Sequence, residues 1–128
     1  MQLLLDTHTF IWWASPPNKL SSNALMICQN LENTLYLSVV SLWEIQIKSQ
    51  LGKLNLSGSL QNLVKSQQQQ NKLNILPVYL EHIFTLDSLP LHHKDPFDRL
   101  LIAQVLTEQF ILVSKDLLLK SYGVNVWW

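Results

Sequence analysis

Asp6, Glu44, Asp98 and Asp116 are four acidic residues spread along nearly the whole chain, each standing where an apolar run ends or a helix begins. Asp6 closes Leu3-Leu4-Leu5, and Glu44 lies just past Leu35-Tyr36-Leu37-Ser38-Val39-Val40. Asp98 opens the apolar segment from Leu100 to Leu106, and Asp116 follows Phe110-Ile111-Leu112-Val113. In an open α/β sheet, ligands bind at the carboxyl ends of the strands. Acids in these positions are expected to meet on that edge. Carboxylates gathered so closely cannot all stay ionised without a cation. A bound divalent metal resolves the repulsion, and hydrolysis of a phosphodiester is the natural chemistry. All-oxygen donors favour Mg²⁺ or Mn²⁺ over zinc, and His8, His82, His92 and His93 lack the spacing of a zinc site.

Each acid also has a structural reading. Asp6 is placed to cap a helix starting near Thr9. Glu44 falls on a helical stripe with Val40, Trp43, Ile47 and Leu51, where an unpaired carboxylate is costly. Its structural partner would be Lys48, one turn later; its functional partner, a metal. Asp95, Pro96 and Asp98 occupy the N-cap, N1 and N3 positions of a good helix start, which suffices to explain Asp95. Asp98 shares a face with Leu101, Ile102 and Val105, so it points to a buried edge where a metal is expected. Arg99, the only arginine, is turned about 100° away; it is expected to pair with Asp95, with a phosphate as the alternative. Asp116 alone would read as a helix cap. Thr7, Ser41, Asp95, Arg99, Ser114 and Lys115 are candidates for supporting the acids or touching a phosphate.

The elements that must position these residues alternate in type. Strands are expected at 3–5, 35–39, 73–78 and 110–113, with an edge strand at 124–128. Helices are expected at 9–14 (stopped by Ser15-Pro16-Pro17), from Ser21 or Ser22 to 31, and at 41–51, 59–71, 79–86 and 96–109, with a last turn at 117–121. Such alternation predicts a mainly parallel sheet covered on both faces, a three-layer α/β/α domain spanning residues 1–128.

The chain's 128 residues suffice for one domain with a real core, and 48% hydrophobic content excludes disorder. Net charge is zero, but nine acids balance nine bases and four of those acids belong to the proposed cluster. The remaining surface is therefore mildly basic, the right sign for a polyanion. Cys28, the only cysteine, allows no intramolecular disulfide, which suits a reducing cytosol. Neither a signal peptide nor a membrane span is expected, and the location expected is cytoplasmic. Two adjacent tryptophan pairs, Trp12-Trp13 and Trp127-Trp128, point to a protein interface.

Four blocks in this order carry a resemblance: Leu4-Leu5-Asp6-Thr7-His8, Ser38 to Ile45, His93 to Gln104, and Val113-Ser114-Lys115-Asp116. The chain resembles PIN-domain proteins of the VapC-like toxin type over nearly its whole length. The resemblance implies an α/β/α fold, metal-dependent ribonuclease activity and an antitoxin partner. It carries the family's acidic positions to Asp6, Glu44, Asp98 and Asp116, while Asp95 belongs to a motif of one subgroup. Family members often have a further acid after the last one. Here Leu117 and Leu118 follow Asp116, which puts a second metal site in doubt. Homodimerisation is a further expectation. Alternatives are a binding or regulatory module without catalysis, and a DNA-directed nuclease of related fold. Phosphatase and receiver-like folds fit poorly, because His8 stands where the first needs an acid and only Asp6 is present where the second needs two.

Overall fold

Three apolar runs end level with one another, and that alignment builds the edge from which Asp6 emerges. The structure is a computed structural model describing residues 1–15 and 19–128. Its strands are β1 (Gln2–Leu5), β2 (Thr34–Ser38), β3 (Asn74–Leu76), β4 (Ile111–Val113) and β5 (Val126–Trp127). They form one sheet in the order β3-β2-β1-β4-β5, with every pairing parallel. Helices α1 (Thr7–Ala14), α2 (Ser22–Gln29), α3 (Val39–Gln50), α4 (Leu60–Asn71), α5 (Leu80–Ser88) and α6 (Pro96–Glu108) supply the connections, with a 3₁₀ segment at Leu117–Tyr122 before β5. This is the α/β/α arrangement expected from the alternating pattern.

Strand β1 is central and covered on both faces, so its run is apolar without alternation. Leu3, Leu4 and Leu5 are fully buried. Successive side chains still point to opposite faces. Leu4 packs with Leu101, Ile102, Val105 and Leu112, whereas Leu3 and Leu5 pack with Phe10, Ala24, Ile27 and Leu37. Between α5 and α6, His82 is fully buried. Its Nδ1 accepts the Tyr79 N–H at 2.9 Å, so Nε2 carries the proton and donates to Glu108 at 2.9 Å. That histidine ties two helices together and is remote from the acids.

The chain lays down β1, β2 and β3 in one direction, then returns to place β4 on the other side of β1. Ligand crevices in open α/β sheets lie at such a reversal, outside the carboxyl ends. Leu5 is level with Leu37 and Val113. The next residues, Asp6, Ser38 and Ser114, therefore emerge side by side.

Several boundaries differ from the sequence expectation. Helix α1 begins at Thr7 rather than Thr9, because the Asp6 side chain caps the amide of Thr9, three residues on. It ends at Ala14, and the expected Pro16-Pro17 stop lies outside the described residues. Helix α2 stops at Gln29, leaving Leu31 exposed. Strand β2 gives way to α3 at Val39, since Ser38 accepts from the Val40 amide and caps the helix. Strand β3 covers only Asn74–Leu76; Pro77, which follows, has no N–H to continue a ladder. The edge strand is shorter than expected, at Val126–Trp127. Cys28 is buried, which pushes its thiol up to about 12 and leaves it unreactive. Among the described residues no helix is long and apolar enough to cross a membrane.

Candidate active site

Asp6 leaves β1 and turns into α1. Its Oδ1 accepts the Thr9 N–H at 2.8 Å, and its Oδ2 accepts a hydrogen bond from Ser114 across the β1–β4 crevice. Ser114 is fully buried and also accepts from the Asp116 N–H at 3.1 Å. One serine thus links the acids that follow two adjacent strands.

Helix α3 packs against both α1 and α6, and this places Glu44 between them. The buried face of α3 runs through Val40, Ser41, Glu44 and Ile45. The expected stripe through Trp43 and Leu51 is corrected: both are exposed, because α3 turns its face towards α1 as well as the sheet. Thr7 Oγ1 lies 2.7 Å from Glu44 Oε1 and 3.0 Å from Ser41 Oγ. With a single hydroxyl proton, Thr7 serves the carboxylate, the stronger acceptor. Lys48 Nζ donates to Glu44 Oε2 at 2.8 Å. Trp43 meets the ring of Phe97 edge-on at 5.4 Å, which draws the first turn of α6 towards α3.

That first turn is organised by Asp95, whose Oδ1 accepts from the amides of Phe97 at 2.9 Å and Asp98 at 3.3 Å. Asp98 is left to face inwards, with His93 Nε2 3.3 Å from its Oδ2. The His93 amide in turn donates to the Tyr122 hydroxyl at 2.9 Å. Arg99 does not pair with Asp95, nor does it face the acids. It donates to the Pro90 carbonyl at 2.9 Å, strapping the preceding loop onto α6. Asp116 is exposed and caps the 3₁₀ segment through the Leu118 amide at 3.1 Å.

All four candidate acids, with Asp95, line one cleft of about 220 Å³, bordered by Thr7, His8, Lys48 and Leu119. An adjoining recess of about 330 Å³ continues past Asp6 and Asp116 to His8, Trp12 and Lys115. Lys115 stands 5.9 Å over the Trp12 ring. A larger hollow of about 600 Å³ lies elsewhere, beside Trp13, Cys28 and Lys72, and no acid among the described residues lines it. Donor chemistry, not volume, selects the candidate site.

The donors suit a hard divalent ion by type, since every acid offers oxygen. A carboxylate has about four lone-pair positions, so Asp6 and Glu44, each with two described partners, keep acceptor capacity. The acids are not already drawn together as a chelate: no three acidic, His or Cys side chains form such a group among the described residues. Burial first, and the neighbouring charges of Asp95 and then Glu44, raise the Asp98 carboxyl above its usual range, against a smaller lowering by His93. Ionising Asp98 therefore costs the metal-free fold stability. That cost is absent below the usual value of 3.8 and sets in as pH rises from there through the raised folded value. Asp98→Asn is expected to melt at a higher temperature than the parent at pH 7 in EDTA, with the gap closing as pH falls towards the ordinary carboxylate range. A variant melting below the parent at pH 7 would contradict this.

His8, His93 and Tyr122 also border the acids or hold their neighbours, and none of them is a candidate on sequence grounds. Tyr122 reaches back 29 residues, a contact with no local signal. Lys48 was legible from its i, i+4 spacing, but its place inside the cleft was not.

The family model described as "PIN domain" matches residues 3–124. The chain is 27% identical over 130 residues to Ribonuclease VapC22 of Mycobacterium tuberculosis, covering 98% of each. It is similar in fold to a chain of VapBC2 from Rickettsia felis, in a structure bound to a DNA fragment from its promoter: TM-score 0.72, 18% identity, 99% of this chain and 98% of that one. A chain of FitAcB from Neisseria gonorrhoeae is similar too, with TM-score 0.68, 18% identity, and coverage of 98% and 96%.

Proposed function

This chain belongs to the PIN-domain family, and from that premise we propose that it is a divalent-metal-dependent endoribonuclease, the toxin of a toxin–antitoxin pair. The observation that carries this reading is the meeting of Asp6, Glu44, Asp98 and Asp116 in one cleft at the reversal point of the sheet. The likeness to a protein named as a ribonuclease supports the reaction class.

Asp6, Asp98 and one or both of Glu44 and Asp116 would hold Mg²⁺ or Mn²⁺. When bound, the metal supplies Lewis-acid activation of the attacking water and of the departing oxygen. The rest falls to the chain. Ser114 and the Thr9 amide fix Asp6, and Thr7 fixes Glu44, so these acids are oriented before substrate arrives. One carboxylate accepts the proton of the attacking water. Lys115, exposed beside Asp116, is placed to meet a phosphate. The whole chain acts as one catalytic domain in the cytoplasm.

An antitoxin protein is the proposed partner, on the likeness in fold to a member of the VapBC family of toxin–antitoxin systems. A homodimer is proposed on the exposure of Trp43, Leu80 and Phe84. Sedimentation as a monomer at micromolar concentration would remove that part. The opposing reading is a PIN module that binds without cutting, and Mn²⁺ titration separates the two. A saturable rise in melting temperature is expected for the parent and its loss in Asp6→Asn; no shift in either would favour the module. Equal cutting of RNA and of single-stranded DNA with the same base sequence would overturn the restriction to RNA.

A further inference from the structure

We propose that Lys48 is an internal counter-cation that competes with the divalent ion for Glu44, setting the metal affinity of the cleft without itself ligating anything. The inference rests on the metal-dependent reading above and adds a control that this reading does not contain.

Both oxygens of Glu44 are engaged: Oε1 by the Thr7 hydroxyl at 2.7 Å and Oε2 by the Lys48 ammonium at 2.8 Å. The partners differ in what they can do next. The Glu44 side chain is 8% exposed and Lys48 37%. The carboxylate is held in the cleft by α3 and cannot turn to water, whereas the ammonium can leave. A buried carboxylate needs a cation or a full set of donors, and here it sits in a cleft with Asp6, Asp95, Asp98 and Asp116. Lys48 is the only lysine or arginine among the described residues lining that cleft. In the metal-free chain it answers the need of Glu44. The order along the helix, Glu before Lys at i, i+4, is also the favourable one.

A divalent ion arriving at Glu44 would meet a like charge a few ångströms away. In a half-dry cleft such repulsion is much stronger than in water. Lys48 must therefore surrender Oε2 and swing into solvent, and its exposure permits that. The metal bears the loss of the ion pair as a weaker apparent affinity, so the cleft fills only above a raised concentration of the ion. By reciprocity, metal loosens Lys48 to the same degree.

The test is Mn²⁺ binding to the full chain without RNA, followed by titration calorimetry and by the electron paramagnetic resonance signal of free Mn²⁺. Lys48→Met removes the charge, Lys48→Gln removes it while keeping a donor for Glu44, and Lys48→Arg keeps it. Both neutral variants are expected to bind Mn²⁺ tighter by roughly tenfold, within the usual span of coupling between two ligands. Lys48→Arg should stay near the parent. If the parent binds saturably and neither neutral variant binds tighter, the role of Lys48 is overturned and the metal reading stands. If parent and neutral variants alike show no saturable binding, both fall. Circular dichroism checks folding, and should Lys48→Met fail to fold, Lys48→Gln decides.

Discussion

Asp98→Asn will fold and lose RNA cleavage on the order of a thousandfold, equivalent to about 4 kcal/mol of transition-state stabilisation. The fold survives because α6 does not depend on Asp98 for its start. Asp95 provides the cap and Pro96 the first position. An amide at 98 keeps an acceptor near His93 but loses the charge that would hold a metal. It also removes a charge whose burial first, and then its crowding with Asp95 and Glu44, raise the Asp98 carboxyl. A variant that is more stable yet inactive is the signature of a functional group held at a structural cost. The paired control is Asp95→Asn. Asparagine caps helices as well as aspartate does, and Asp95 already serves the amides of Phe97 and Asp98. That change should leave most activity intact. Single-turnover cleavage of one labelled RNA at saturating Mg²⁺ compares the three proteins. Parent-like rates from Asp98→Asn would remove Asp98 from the site.

Phe10→Ala carries the largest expected loss of stability, about 3–5 kcal/mol for deleting a fully buried aromatic ring. Phe10 has no exposure and packs with Ala24 of α2 and with Leu3, Leu5 and Leu37, strand residues beneath the acidic edge. Domains of this size are stable by only about 5–15 kcal/mol, so the variant stands close to unfolding. Its helix also carries Thr7 at the first turn, so looseness in α1 reaches Glu44 through the 2.7 Å hydroxyl contact. Urea unfolding measures the effect as a lower midpoint with an unchanged slope. A shift worth less than about 1 kcal/mol would mean that α1 does not rest on this ring, contrary to the core described above.

The parts of the fold legible in the sequence were those set by local rules. Leu3 to Leu5 read as a buried strand because three apolar residues in a row leave no face for water. Asp95-Pro96 read as a helix start because the cap and the proline act within one turn. The positions of the acids at segment junctions were legible for the same reason, and the strand order then explains why they meet. What was not legible depends on contacts distant in sequence. The face of α3 departs from the apolar pattern because Trp43, although apolar, meets Phe97 edge-on at the surface rather than in the core. Local sequence points Arg99 to its close neighbour Asp95, whereas the Pro90 carbonyl competes for it only once the loop has folded back. The link from Ser114 to Asp6 spans 108 residues. Only pairing β4 beside β1 creates it.

The measurement that bears most directly on the whole account is cleavage of a mixed RNA pool by the purified chain with Mg²⁺ or Mn²⁺, run beside EDTA and an Asp6→Asn control. Cuts are expected with metal, at a restricted set of sequences, and they should vanish with EDTA and in the variant. Folded protein that leaves the pool intact with either metal, or that cuts equally well after Asp6→Asn, would contradict the assignment of this carboxylate cleft as a metal-dependent ribonuclease site.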